Sequence, residues 1–493
     1  MSADLLIRSV RVAGPGRELV PTHEPVDILV RAGIIADIAP AGGLRLTAET
    51  LDADGAWAVP GLWDHHVHTV QWALDAQRVP LGAATGAGHA ARLIAVADPL
   101  PDGRLVGAGF RDGLWSTRPT RGLLDEATGE RPAYLINADV HSVWLNSAAL
   151  RREGFDGRDD DGMLREEDAF EISRRLNAAD DATADAAVAR AGRRAATRGV
   201  TGIVDFDMAW NAEAWRRRCA AGFDEHRVEF AFYREGLSRA VEEGLRTGDE
   251  LPGTSGLVRV GPLKLITDGS LGTRTAACSH AYAGDPQNFG VLTIGPDELR
   301  QLLTRATGAG IEVAVHAIGD RAVASALEAF SATQARGTME HAQLVRHVDL
   351  VRLVRLGVVA SVQPAHAVDD RDLASELWHD QPAMGYPLAS LFAAGAAVRF
   401  GSDAPVAPLD PWRTIAAAVH RTDDERAPWH PEERVSLDVA LGASSRHGEA
   451  RIVPGAVADL ALCGADPHAL DRQGLSTMPV VATVLGGRLT HRA

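Results

Sequence analysis

Short apolar runs, each breaking off at a polar or charged residue, recur through the middle of the chain and alternate with Ala- and Leu-rich stretches of helical character. Eight such runs stand at 59–65, 200–206, 227–233, 258–266, 311–316, 337–341, 358–363 and 397–402. Strands alternating with helices imply parallel strands joined by crossover helices, so an α/β fold of the (β/α)8 barrel type is predicted. The intervals 320–335, 343–356 and 386–395 supply helices for its outer ring.

The two ends of the chain have a different texture. Residues 4–57 read as short strands and turns (DLLIRSVRVAG, VDILVRAGIIADIAP, TLDADGAWAV), and the same β-branched alternation returns in ADLALCG (458–464) and VVATVLGGRLTHR (480–492). Neither end can bury a core alone, so residues 1–57 and 452–493 are expected to pair into one small β-sandwich flanking a barrel domain at 58–451. The gap between the first two runs, about 70–199, is too long for a structureless loop and predicts an insertion, helical from Glu166 to Arg198. Its acidic tract FDGRDDDG (155–162) reads as a solvated turn, since the later Glu that a calcium loop requires is not at the right spacing.

Composition narrows the function classes. A 493-residue chain exceeds one simple core, which agrees with insertions or a second domain. The net charge of -16 repels phosphate backbones, and with no Lys/Arg cluster a nucleic-acid partner is not expected. Cys219, Cys278 and Cys463 are widely spaced and odd in number, forming neither a disulfide framework nor a Cys-x-x-Cys zinc site. No apolar stretch approaches a membrane span and the start MSADLLIRSV lacks a signal pattern, so a cytoplasmic protein is expected, with no membrane partner and a homodimer as the default association.

In a (β/α)8 barrel the chemistry sits where strands end. The first run, VPGLWDHHVHT (59–69), ends in His66 and His68, which share one strand face and can bind one metal ion through neutral imidazoles. The fourth, VRVGPLKLITDGSLGTRTA, buries Lys264, whose ammonium must find a carboxylate such as Asp268 or lose its charge, for example by carboxylation. The fifth and sixth end in His316 and His341, one strand–helix unit apart. The eighth ends in Asp403, placed either to bind metal and move protons or to cap a turn before Pro405.

His66, His68, Lys264, His316, His341 and Asp403 resemble the ligand set of the amidohydrolase superfamily. KLITDGSLGTRTA, VHAIGDRAV, EHAQLV, SVQPAH and GSDAPVAPLDPW resemble its YtcJ-like branch (amidohydrolase family 3), which includes N-substituted formamide deformylases. The resemblance covers nearly the whole chain. It implies a distorted barrel holding one or two divalent ions, with zinc the expected metal. His66 and His68 would bind the more buried ion with Asp403, and His316 and His341 the second. A carbamate on Lys264 would bridge them in a binuclear centre.

The activity implied is attack of metal-bound hydroxide on a small-molecule amide-type carbonyl, with Asp403 taking the proton and returning it to the leaving nitrogen. The expected bond is a non-peptide C–N bond in an N-substituted formamide, N-acyl compound or carbamate. The same ligand set also serves cyclic amidases. A metal-dependent lactonase or esterase is the second reading and a non-catalytic ligand-binding barrel the third, disfavoured because all six ligand positions are retained. One departure is NADVHSVWLNSAAL (137–150), where relatives often carry Gly before the His. His141, Trp144 and Asn146 are pocket candidates there, as are Asp268 and Asp320 just past strand ends. Trp57, Trp63, Trp72, Trp115, Trp144 and Trp378 hint at an apolar or aromatic substrate.

Overall fold

The computed structural model describes all residues except 1–3, 16, 18–23, 46, 76, 77, 101, 114, 156, 158–160 and 179. Eight parallel strands form the central sheet: Leu62–Val67 (β1), Val200–Asp205 (β2), Arg227–Tyr233 (β3), Val258–Ile266 (β4), Val313–Ala317 (β5), Gly337–His341 (β6), Val359–Val362 (β7) and Val398–Phe400 (β8). They pair in chain order from β1 to β8, and β8 returns beside β1 through isolated bonds rather than a full ladder. The barrel is therefore nearly closed.

Alternation along the strands builds two cores. Phe230 and Phe232 face the helices and join the large cluster between the barrel and its outer ring, while Ala231 between them faces inward. Inside, Trp63, Val204, Phe206, Ala231 and Ala314 pack together as a plug. A side chain at Gly202 would place its Cβ 2.0 Å from the Trp63 ring, so glycine is what admits the indole. The outer helices include Asp320–Thr333, His347–Leu356 and Leu388–Ala394, within the intervals expected from sequence.

The two chain ends meet in one small β unit. Leu460–Cys463 pairs antiparallel with Trp57–Pro60, and Leu5, Ile7, Ile28, Leu460, Leu462 and Val484 share a core. Leu5–Val12 bends at Ser9 (φ 52), so its first half pairs with Val26–Arg31 and Glu49–Asp52 and its second half with Trp57–Pro60. The bend lets one strand join both halves of this small β unit.

The insertion is richer than its composition predicts. It carries a five-stranded sheet in the order Met163–Arg165, Ser142–Leu145, Ala133–Asn137, Leu105–Phe110, Val79–Pro80, with separate apolar cores on its two faces. Its expected helical end divides into Glu167–Asn177, which packs in the insertion, and Asp181–Ala196, whose Val188 and Ala191 join the barrel core. Residues 156 and 158–160 of the acidic tract lie outside the described residues. Cys219, Cys278 and Cys463 are free thiols, the last two buried. No helix among the described residues is long and apolar enough to cross a membrane.

Candidate metal centre

Five barrel strands deliver polar side chains to one end of the barrel: His66 and His68 from β1, Lys264 from β4, His316 from β5, His341 from β6 and Asp403 just past β8. Closure of the barrel brings the first and last of these together. The Asp403 N–H donates to the His66 carbonyl (2.8 Å), the His68 N–H to the Ala404 carbonyl (2.9 Å), and the Ser402 N–H to Asp64 Oδ1 (2.8 Å). A Cβ on Gly401 would lie 2.7 Å from the His66 nitrogen, so only glycine lets the eighth strand approach this closely.

His66, His341 and Asp403 each offer a ligand atom within 4.8 Å of the others, and all three are buried. Asp403 Oδ1 lies 3.5 Å from His66 Nε2 and 3.4 Å from His68 Nε2, and the Lys264 Nζ is 3.2 Å from His66 Nε2. His316 stands at the edge of the group. Its ring is 4.5 Å from that of His341, while its Nε2 is turned 3.4 Å from both Asp268 Oδ1 and the Gly269 carbonyl. The six residues thus share one cavity, with the tight triad drawn from β1, β6 and β8.

The electrostatics suit a cation. Burial drives His66 and His341 well below the usual imidazole range, so both are neutral and keep lone pairs. Burial alone would raise the Asp403 carboxyl, but His66, His68 and His341 facing it hold it well below the usual carboxylate range. Burial also pushes Lys264 down to about 8, against the pull of the Glu340 and Asp403 carboxylates. His68 Nδ1 is buried with no hydrogen-bond partner. Neutral imidazoles and one carboxylate converging on one point fit a divalent metal.

A supporting layer fixes the ring orientations. His66 Nδ1 donates to Glu340 Oε2 (2.7 Å) and His341 Nδ1 to Gln363 Oε1 (2.9 Å), which leaves both Nε2 atoms free to coordinate. Glu340 in turn accepts from the Thr338 hydroxyl, and burial raises its carboxyl. Sequence reasoning missed Glu340 because strand alternation sends neighbours to opposite faces. His341 escapes that rule with φ 72, and the signal available was the acidic residue directly before a ligand His in GTMEH.

The cavity above the triad has a volume of about 250 Å³, and the insertion forms one wall. His141 lines it on a turn in which Val140 has φ 56, a left-handed position that suits the Gly expected there and strains a β-branched residue. Burial would lower the His141 imidazole, but the Glu166 carboxylate at 2.9 Å outweighs it and raises it to about 9; reciprocally Glu166 falls to about 2. Glu166 also accepts from Thr273 and Thr275, tying the insertion to the loop after β4.

The other pocket candidates are structural. Trp144 lies in the insertion core, its Nε1–H donating to the Thr120 carbonyl, because the strand that carries it buries that face against the insertion's own helices. Asn146 caps the helix Ser147–Glu153. Asp268 accepts from the Ala277, Ile318 and Gly319 N–H groups, and Asp320 from Ser279, so both brace loops and neither lines the cavity. None of the six tryptophans lines it either, since their bulk serves packing; its apolar walls include Phe170, Met208, Ile266, Leu271 and Ile318.

Comparison with known proteins gives this geometry a lineage. Residues 49–491 match the model of the Amidohydrolase family, Amidohydro_3. The chain belongs to that family. It is 26% identical over 486 residues to the putative amidohydrolase YtcJ of Bacillus subtilis (strain 168), covering 90% of each chain. It is 26% identical over 529 residues to the N-substituted formamide deformylase of Arthrobacter pascens, covering 94% of each. The fold is shared with an uncharacterized metal-dependent hydrolase from Pyrococcus horikoshii OT3, with a TM-score of 0.78 and 22% identity over 95% of this chain and 99% of that one. The YtcJ-like resemblance of the sequence motifs is thereby established, and the protein is an amidohydrolase-family hydrolase.

Proposed function

We propose that this amidohydrolase cleaves a linear, non-peptide C–N bond in a small molecule of the N-substituted formamide or N-acyl class. The observation that carries the reading is the buried triad of His66, His341 and Asp403, with His68, Lys264 and His316 around the same cavity. The deformylase relative, matched over nearly its whole length, supports the bond class. A divalent ion held by these residues, with zinc the expected metal, supplies Lewis acidity: it makes water a nucleophile near neutral pH and polarises an acyl carbonyl.

The chain's own residues do the rest. Asp403, anionic among the histidines, takes a proton from the attacking water and returns it to the nitrogen as the C–N bond breaks. Glu340 and Gln363 hold His66 and His341 in their coordinating orientation. Lys264, with an ammonium lowered to about 8, keeps part of its amine neutral and would be open to carboxylation. The small cavity suits a short acyl group, and Phe170, Met208 and Ile266 suit an apolar N-substituent.

The test is a panel of N-substituted formamides, N-acyl amines, carbamates, hydantoins and lactones offered to the zinc-loaded protein, with chelated protein as control. Chelator-sensitive release of amine and acid in equal amounts is expected. Acid without amine would replace this reading with ester or lactone hydrolysis.

A further inference from the structure

The motif SVQPAH places a residue at the site that the metal set leaves unused. His366 lies on the short helix Pro364–Asp369 after β7, is 5% exposed and lines the catalytic cavity. Its ring stacks on that of His341, with centroids 6.4 Å apart and planes inclined by 12°. Its Nε2 is buried with no hydrogen-bond partner and stands 4.0 Å from Asp403 Oδ2. A buried polar atom without a partner carries a cost unless something occupies the gap beside it.

What fills that gap depends on which ring nitrogen holds the proton, and a chain of hydrogen bonds decides this. The Gln343 side-chain amide lies with Oε1 3.2 Å from the Tyr386 hydroxyl and Nε2 3.4 Å from His366 Nδ1. A phenol has one proton. Tyr386 gives it to the nearer and charged acceptor, Asp370 Oδ2 at 2.9 Å, whose carboxylate also pairs with Arg111 at 3.4 Å. With that proton spent on Asp370, an amide oxygen facing the Tyr386 oxygen would set two acceptors together, so the Gln343 amide is turned by 180°, its NH2 toward Tyr386 and its oxygen toward His366, as its hydrogen-bond network requires. His366 therefore holds its proton on Nδ1, donates it to Gln343, and shows a bare lone pair at Nε2.

We propose that His366 is a further catalytic residue, whose unprotonated Nε2 and Asp403 Oδ2 together hold the attacking water. Two acceptors 4.0 Å apart cannot bond each other, and one water donating a hydrogen to each, at about 2.8 Å, spans them. One hydrogen passes to Asp403 and then to the leaving nitrogen. The other stays on the water oxygen throughout, bonded to Nε2, so His366 aims the nucleophile and transfers no proton. Orientation of this kind removes the rotational search from the reacting step.

The kinetic arm of the test rests on the hydrolytic reading; the tautomer arm does not. With 15N-histidine-labelled protein, assigned by loss of one signal in His366→Gln, long-range 1H–15N correlation is expected to show the Nδ1–H tautomer. In turnover, His366→Leu is expected to lose about 10²-fold in kcat, with KM, thermal midpoint and bound metal within about twofold. His366→Gln, whose side-chain oxygen can stand near the Nε2 position, is expected to recover most of that loss. An Nε2–H tautomer overturns the proposal, as does a His366→Leu enzyme that keeps kcat within about threefold. Loss of metal from that variant would overturn it too, by making His366 a ligand. Failure of the wild-type protein on the C–N panel with an Nδ1–H tautomer present would count against the bond class alone.

Discussion

His341 and His141 stand in two walls of one cavity, each flanking His316, and the protein treats the same side chain in opposite ways. His341 closes an apolar barrel strand, among other imidazoles, and burial drives it well below its ordinary range. His141 comes from the insertion and is just as buried, yet a carboxylate at 2.9 Å raises it to about 9. The difference is one counter-ion. Burial by itself neutralises an imidazole, and burial beside a dedicated carboxylate charges it. The barrel floor therefore carries neutral imidazoles suited to a metal, while the insertion wall carries a charged one held by its own carboxylate.

The contrast can be broken at the floor first. Asp403→Asn removes the proton carrier and is expected to lower kcat by about 10²–10⁴-fold, read in the amine-release assay. A near-normal rate would remove Asp403 from the proton transfer. Glu340→Gln keeps the shape but weakens the bond to His66 Nδ1, and metal affinity is expected to fall about 10–100-fold in a chelator competition titration. Unchanged affinity would show that barrel packing alone orients His66.

At the wall the effects are smaller and depend on pH. His141 at about 9 exceeds its ordinary 6.5, so its contribution to stability is full below 6.5 and is lost as pH rises through 9. Glu166 at about 2 lies below its ordinary 4.5, so its contribution is full above 4.5 and is lost as pH falls through 2. The pair is most stabilising between those two ordinary values. Glu166→Gln should lower the thermal midpoint most in that interval and least at alkaline pH, with bound metal unchanged; a pH-independent difference would mean that the ion pair is not the cause. Val140→Gly relieves a left-handed β-branched residue and is expected to raise stability by about 1 kcal/mol in urea unfolding, an effect that a destabilised variant would refute.

The floor was largely legible in the sequence because each of its residues interrupts an apolar strand. His66, Lys264, His316 and His341 are conspicuous for the company they keep, and the order of the strands placed the last three on adjacent staves. The wall was less so. Trp144, Asp268 and Asp320 have the residue types of a pocket, yet they serve a core, a loop and a helix start, because what a polar or aromatic side chain touches depends on chain segments distant in sequence. Glu340 and His366 were passed over for the converse reason. Glu340 shares a face with His341 only because His341 takes a positive φ, and His366 is set by a relay running through Gln343 and Tyr386 to Asp370.

By itself the sequence determined the alternation of strand and helix, the pairing of the chain ends and the residue types at the strand tips, since periodicity and local apolar context act over a few residues. Tertiary structure alone decided which of those tips converge within reach of one ion, which histidine is neutral and which charged, and which nitrogen of each ring stays free. Those properties depend on desolvation and on partners that closure of the barrel brings together across hundreds of residues, as it brings Asp403 to His66.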